Sequence, residues 1–343
     1  MNIFIYTKAF FPMQGGMETF SQTLAQQLTL LGHTVNLITD TFYEDEDVFA
    51  FHVLRKPSFF KLLKDVAKSD VVICNGISLK FLLPVLCWKN KTIVIHHNWY
   101  SGKGLQSILS VFKRSLCHLY TNISVSQAIA ARLSVSSEVV PNPYDATLFR
   151  LISTAKRNKD LVFLGRLVSD KGVDILLDSL KLLKDKNILP SCTIIGSGPE
   201  LQNLKKLVKR YVLQEQVTFV DKKSGKALVD LLNQHKIMVV PSRWDEPFGI
   251  VALEGMACGC VIVGSSGGGL PEAIGPCGTT FPNNDAQALF TQLERLLKQP
   301  EELNKYQNAF DLHLRKHHPE IVVQAYLNIA ERIARPRKNK LHE

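Results

Sequence analysis

Asn2-Ile-Phe-Ile-Tyr-Thr7 is a short apolar strand, and a loop containing Gly15-Gly16 follows it. Phe20, Leu24, Leu28 and Leu31 then recur at a helical period until Gly32, after which Thr34-Val-Asn-Leu-Ile-Thr39 forms a second apolar strand. Strand, helix, strand in that order is a βαβ unit, and the rhythm repeats: strand 71–75, helix 78–88, strand 92–96, helix 104–117, strand 120–124, helix 126–134. Continuous apolar strands alternating with amphipathic helices predict a parallel sheet covered on both faces.

The rhythm breaks around 140–150 (VPNPYDATLFR), and the polar stretch 153–159 (STAKRNK) reads as a linker. It then restarts: strand 160–165, helix 172–184, strand 192–196, helix 199–211, strand 216–220, helix 225–234, strand 236–240, helix 247–258, strand 260–264. The predicted fold class is α/β, with two doubly wound Rossmann-like domains over 1–152 and 158–318. The helical segment 300–335 is interrupted by Pro319, and 319–343 is long enough to cross back to the first domain. Ligands in such sheets bind beyond the carboxyl ends of the strands, so a cleft between the domains is the expected site.

At about 150 residues per domain, 343 residues suit two domains. Charged residues at 21% and an AVILMFWYC share of 45% exclude a disordered, collagen-like or disulfide-stapled chain. No apolar run approaches the roughly 18 residues needed to span a bilayer, and the start MNIFIYTKAFF lacks a basic region before its apolar residues. The expected location is cytoplasmic. The seven cysteines show no metal or redox spacing and read as reduced core thiols. The net charge of +10 is spread over both halves without an Arg/Lys block interleaved with aromatics, so nucleic acid is not an expected partner.

The stretch with most chemistry runs from Pro241 to Gly259: PSRWDEPFGIVALEGMACG. It follows a strand, Pro247 suits a first helical turn, and Glu254 comes eight residues after Glu246. A helix opening near Phe248 would offer the free N–H groups of Phe248, Gly249 and Ile250 to a phosphate or sugar oxygen. The two carboxylates would each accept hydroxyl hydrogen bonds. Upstream, FLGRLVSDKGVD (163–174) sets Arg166 and Lys171 around the end of a strand, where two cations would neutralise a diphosphate. Gly196-Ser-Gly198 is a weak glycine signal without a third glycine. In the first domain, Gly15-Gly16 permits close backbone approach, and His96-His97 stands at the end of the strand 92–96.

Over nearly the whole chain, and most closely over 160–275, the sequence resembles the retaining, nucleotide-sugar-dependent glycosyltransferases of the GT-B fold, specifically glycosyltransferase family 4. The resemblance implies that Glu246 meets donor-sugar hydroxyls and Glu254 the ribose. It implies that Arg166 and Lys171 hold the diphosphate and that Gly198 lines the nucleotide side. It also places the Gly15-Gly16 loop against the phosphates, and one of His96 and His97 near the transferred sugar and acceptor. The first domain would take a glycan or lipid-linked acceptor, and the second a nucleotide-sugar donor, UDP before GDP. The implied reaction is a front-face transfer with retention; the alternatives are a sugar-nucleotide epimerase of the same fold and a non-catalytic partner subunit that binds the donor. No cofactor or metal is expected: Asp45-Glu-Asp47 formally matches a metal-binding Asp-x-Asp but lies in a solvated acidic loop. Pro143, in PNPYD, stands where the family often has glycine.

Arg55–Lys68 (RKPSFFKLLKDVAK) has two readings. It is an ordinary helix with Phe59 and Phe60 turned inward, or an interfacial patch for an anionic membrane surface in which Lys61, Lys64 and Lys68 share one face. The second would place the protein peripherally on the inner face of the cell membrane. Cell-envelope glycan or glycolipid synthesis is the corresponding expectation.

Overall fold

The structure, a computed structural model, describes residues 1–13, 15–100 and 105–334, with side chains outside 105–110. The chain divides into two units, one comprising Met1–Pro143 together with the chain from Pro319, the other Tyr144–His318.

In the first unit, β1 (Asn2–Thr7), α1 (Gly16–Leu30), β2 (Thr34–Thr39), β3 (His52–Arg55), α2 (Phe59–Lys68), β4 (Val71–Asn75), α3 (Leu79–Leu82), β5 (Thr92–His96), α4 (Leu105–Cys117), β6 (Thr121–Ser124), α5 (Gln127–Arg132) and β7 (Glu138–Val139) succeed one another. The sheet order is β3-β2-β1-β4-β5-β6-β7, and every pairing is parallel. Side chains alternate across a strand. Phe4, Tyr6, Ile38, Val72, Cys74 and Val94 therefore share one face, packed with Val66 of α2, Phe81 and Leu82 of α3, and Leu116 of α4. Phe20, Leu24 and Leu28 of α1 are buried as the helical period predicted.

The second unit runs β8 (Lys159–Leu164), α6 (Val173–Asp185), β9 (Cys192–Ile195), α7 (Leu201–Arg210), β10 (Val217–Val220), α8 (Gly225–Leu232), β11 (His235–Val240), α9 (Ile250–Ala257), β12 (Val261–Ser265), α10 (Leu270–Ile274), β13 (Gly278–Phe281), α11 (Ala286–Lys298), α12 (Glu301–Gln307) and α13 (Phe310–Lys316). Its sheet is again all parallel, in the order β10-β9-β8-β11-β12-β13. The strand order reverses between β1 and β4 in the first unit and between β8 and β11 in the second. These are the switch points at which open α/β sheets bind ligands.

Four local expectations change. The helix expected over 78–88 is α3 followed by a 3-10 turn at Leu86–Lys91, because Pro84 supplies no N–H to continue an α-helix. Residues 144–152 group with the second unit rather than the first: Ile152 N donates to Asn233 Oδ1 at 2.7 Å, and Asn233 Nδ2 donates to Arg150 O at 3.0 Å. Within the expected linker, Arg157 is anchored by donating to Cys258 O at 2.8 Å and to His235 O. Asp47 is not a freely solvated carboxylate, since it holds the Arg55 guanidinium through two hydrogen bonds of 2.7 and 2.9 Å.

The last helix, α14 (Pro319–Ala334), belongs to the first unit and packs against α1, with Tyr326 edge-on to Phe20 at 5.6 Å between ring centroids. All seven cysteines are unpaired, and only Cys87 is exposed. No helix of the described residues is long and apolar enough to cross a membrane.

Candidate active site

The second unit builds its site where β8 and β11 end. Gly172 caps α6 in the left-handed region at φ +64°, and a Cβ there would lie 2.0 Å from Pro241 O. Only glycine lets the loop after β8 nest this closely against the loop after β11. The nesting is sealed by Arg243 N and Trp244 N, which donate to Asp170 O at 2.9 and 3.3 Å.

As a result Lys171 Nζ stands 2.6 Å from Glu246 Oε1, and Ser242 Oγ donates to the same oxygen at 2.7 Å. The two charged side chains are 27% and 11% exposed, so the pair is shielded but open to a ligand. Glu246 is held from its other side as well: Gly269 N donates to Glu246 O at 2.7 Å, and Glu246 forms an isolated parallel bridge with Gly268.

Helix α9 starts at Ile250, later than the expected 247, because Gly249 at φ +100° turns the chain into it. The first-turn N–H groups have no intrahelical acceptors. The side chain of Phe248 is buried beneath the His317 ring at 5.5 Å, so Phe248 offers a ligand only its backbone. One turn inside α9, burial pushes the Glu254 carboxyl up to about 7, and the negative charge of Asp145 adds to the shift.

Arg166 is exposed at the end of β8. Gly198 supports its loop: a Cβ there would lie 2.3 Å from Leu167 O, while Leu167 N donates to Ser197 O at 2.9 Å and Glu200 N to Leu167 O at 3.0 Å. The geometry thus makes Gly198 a packing residue of the Arg166 loop.

In the first unit, Gly15 caps α1 and Gly16 begins it. His96 and His97 are both buried, but they differ. His96 has both ring nitrogens engaged, Nδ1 with Tyr100 OH at 2.8 Å and Nε2 with Asn122 Oδ1 at 2.9 Å. His97 lies edge-on to Phe20 at 4.7 Å, and its buried Nε2 has no hydrogen-bond partner. Burial pulls His96 down to about 4, opposed by its Asn122 hydrogen bond; burial and the neighbouring His96 pull His97 down to about 3. Both rings are therefore neutral near pH 7.

Two contributors escaped the sequence reading. Gly267-Gly268-Gly269 wraps the backbone of Glu246, and Gly267 N is fixed by Asn283 Oδ1 at 2.8 Å. Three glycines directly after an apolar strand were a visible signal. Asn75 at the end of β4 donates to Ser21 Oγ at 2.5 Å and to Met17 O at 3.3 Å, which leaves its buried Oδ1 unpartnered. A lone Asn gives no such signal.

Two doubly wound parallel-sheet units, one carrying a Lys–Glu pair and a helix N-terminus at its switch point, have the architecture of the GT-B fold. HepE from Anabaena, solved in complex with UDP, superposes with a TM-score of 0.81 at 18% identity, over 97% of this chain and 100% of that one. Residues 147–311 match the family model of the glycosyl transferases group 1. The phosphatidylinositol N-acetylglucosaminyltransferase gpi3 subunit of Schizosaccharomyces pombe is 26% identical over 327 residues, 84% of this chain and 71% of that protein. The N-acetyl-alpha-D-glucosaminyl L-malate synthase of Bacillus anthracis is 26% identical over 92% of this chain and 72% of its own length.

Proposed function

We propose that the protein transfers a sugar, with retention at the anomeric carbon, from a nucleoside diphosphate donor to a hydroxyl acceptor, UDP being the preferred nucleotide and GDP the second. The observation that carries this reading is the Lys171–Glu246 pair, with Arg166 five residues before the lysine and the N-terminus of α9 four residues after the glutamate in the chain. Cations and N–H donors suit a diphosphate, and a carboxylate suits sugar hydroxyls. Lys171 and Arg166 supply the positive charge that a metal would otherwise bring, so the proposed reaction uses none.

In this reading the anomeric carbon–phosphate oxygen bond breaks with its electron pair going to the diphosphate. The acceptor oxygen bonds the same face and gives its proton to that departing phosphate oxygen. His97, whose buried Nε2 has no partner while both ring nitrogens of His96 are engaged, is the proposed polar neighbour of the sugar and acceptor. A thermal-shift panel of nucleoside diphosphates and nucleotide sugars tests the donor, because a ligand of the native state raises the melting temperature by mass action. A panel in which no member raises it would refute the reading. The HepE complex with UDP and the N-acetylglucosaminyl transfer named for the gpi3 relative support a UDP-sugar.

The two glutamates should separate in binding measurements. Glu254→Ala is expected to weaken free UDP and the UDP-sugar alike, by about 10- to 150-fold for a charge-assisted hydrogen bond worth about 1.5–3 kcal/mol. Glu246→Ala should spare free UDP and damage turnover. Calorimetric titration with UDP decides; equal losses would contradict the assignment.

Peripheral attachment to an anionic membrane, and with it a lipid-linked acceptor and cell-envelope glycan or glycolipid synthesis, forms the second part of the proposal. Phe59 and Phe60 are 54% and 82% exposed, against the inward orientation of an ordinary core helix, and Lys61, Lys64 and Lys68 are exposed with them. Val111 and Phe112 of α4, which covers the same sheet face, are exposed too. Arg55 does not contribute, being committed to Asp47. Each lysine near anionic headgroups adds about 1 kcal/mol. Wild type is expected to sediment with anionic vesicles at low salt, and the Lys61→Glu/Lys64→Glu/Lys68→Glu variant to stay in the supernatant. Equal sedimentation of the two would remove the membrane from the proposal.

A further inference from the structure

The loop from Pro241 to Gly249 is fixed along its length yet leaves one large side chain unused. The Arg243 guanidinium is bidentate on Asp174 at 2.8 and 2.5 Å and also donates to Ser169 O at 3.1 Å. Asn283 Nδ2 donates to Arg243 O at 3.2 Å and lies 3.4 Å from Asp245 Oδ1. Ser242 and Glu246 are joined side chain to side chain. Trp244 lies between them in the chain, 43% exposed, while Phe248 of the same loop is only 2% exposed.

Arg243 turns to a cavity of about 260 Å³ lined also by Val168, Asp174 and Leu204, which Trp244 does not line. The Trp244 backbone N–H is pinned to the carbonyl of Asp170, the residue before Lys171. The indole is therefore held in water by a rigid loop, two residues from the carboxylate that pairs with Lys171.

We propose that Trp244 is the stacking platform for the pyranose ring of the donor sugar. A pyranose has a hydroxyl edge and a C–H face. Glu246 takes the hydroxyls, the indole takes the C–H face, and Lys171 holds the phosphate beside the anomeric carbon. An aromatic ring meets such a ligand with apolar area at little loss of side-chain freedom. This inference rests on reading the Lys171–Glu246 pair as the sugar end of the donor site, and it makes Trp244 a determinant of which sugar is accepted.

Wild type, Trp244→Ala and Trp244→Phe are titrated with UDP, UDP-glucose and UDP-N-acetylglucosamine, with GDP and GDP-mannose in parallel. Binding and intrinsic tryptophan fluorescence are both read. Trp244→Ala is expected to weaken the sugar nucleotide about tenfold while leaving the free diphosphate within about twofold, and Trp244→Phe to retain most of the affinity. The sugar nucleotide, but not the free diphosphate, should change the fluorescence of wild type, and this difference should vanish in Trp244→Phe. If the diphosphate binds wild type and Trp244→Ala binds both ligands as wild type does, the platform alone is overturned. Equal losses for diphosphate and sugar nucleotide would also overturn it, by placing the indole on the nucleotide. If no nucleotide or sugar nucleotide binds wild type, the donor reading falls and the platform with it.

Discussion

Replacing Lys171 by alanine is expected to lower kcat by about 100- to 1,000-fold, the loss found when one donor to a developing oxyanion is removed. The ammonium would meet the diphosphate as its charge grows during departure, so the transition state loses more than the bound ground state does. Free diphosphate should still bind about 10- to 150-fold more weakly, matching the loss of a charge-assisted hydrogen bond of about 1.5–3 kcal/mol. A second effect follows from the geometry. Glu246 keeps only Ser242 as a partner in the variant, and a shielded carboxylate stripped of its cation destabilises the fold. Adding Glu246→Gln should restore the melting temperature without restoring turnover. Arg166→Ala should lower turnover and diphosphate affinity with no loss of stability, since the side chain is exposed. Wild-type turnover and diphosphate affinity in both single variants would refute the assignment of the two cations.

Stability should fall steeply on acidification from pH 6.5 toward pH 4. Three buried histidines take up protons far more readily in the unfolded chain than in the native one. His96 and His235 sit at about 4 and His97 at about 3, against an ordinary 6.5, in each case chiefly through burial. In the intervening range the unfolded state binds more protons, so stability is lost as pH falls, by about 1.4 kcal/mol per pH unit per histidine. Glu254 acts oppositely. Its raised value means that the native state holds the extra proton between 4.5 and about 7, so its contribution improves as pH falls through that window. His313 is also held below its ordinary value, chiefly by burial, so the net slope between pH 6 and 5 is about two to three protons, roughly 3–4 kcal/mol per pH unit. Urea titrations at half-unit steps measure it, and His235→Gln should reduce the slope by about one proton. A stability that does not change between pH 6.5 and 5 would contradict this account.

The fold was legible because its signal is continuous. Apolar strands such as Ile3–Tyr6, Val71–Cys74 and Ile237–Val240 are buried on both faces and need no partner to be recognised. Helix ends were less legible. The start of α9 depends on Gly249 adopting the left-handed region, and the break after α3 on Pro84 overriding an otherwise helical period. Strands β3 and β7 were missed because His52–Arg55 and Glu138–Val139 are short edge strands without an apolar run.

At the candidate site, residue types and spacing singled out Lys171, Glu246 and Glu254. They did not reveal that Lys171 and Glu246 bind one another, because that contact is made by Gly172 nesting on Pro241, a tertiary relation with no local trace. Likewise His96 and His97 looked equivalent until Tyr100 and Asn122 were seen to occupy both nitrogens of the first.

The return of α14 to the first unit bears on how the chain folds as it is synthesised. Domains generally fold as they emerge, the N-terminal one first, at about 5–20 residues per second. Here the earliest segment is among the last to be completed, because α14 follows the whole of Tyr144–His318. Until it arrives, Phe20 lacks its Tyr326 neighbour and α1 lacks its packing helix. The second unit, continuous in sequence, has no such wait. A chain truncated after residue 318 should therefore hold a protease-resistant second unit beside a first unit that is still cleavable along α1.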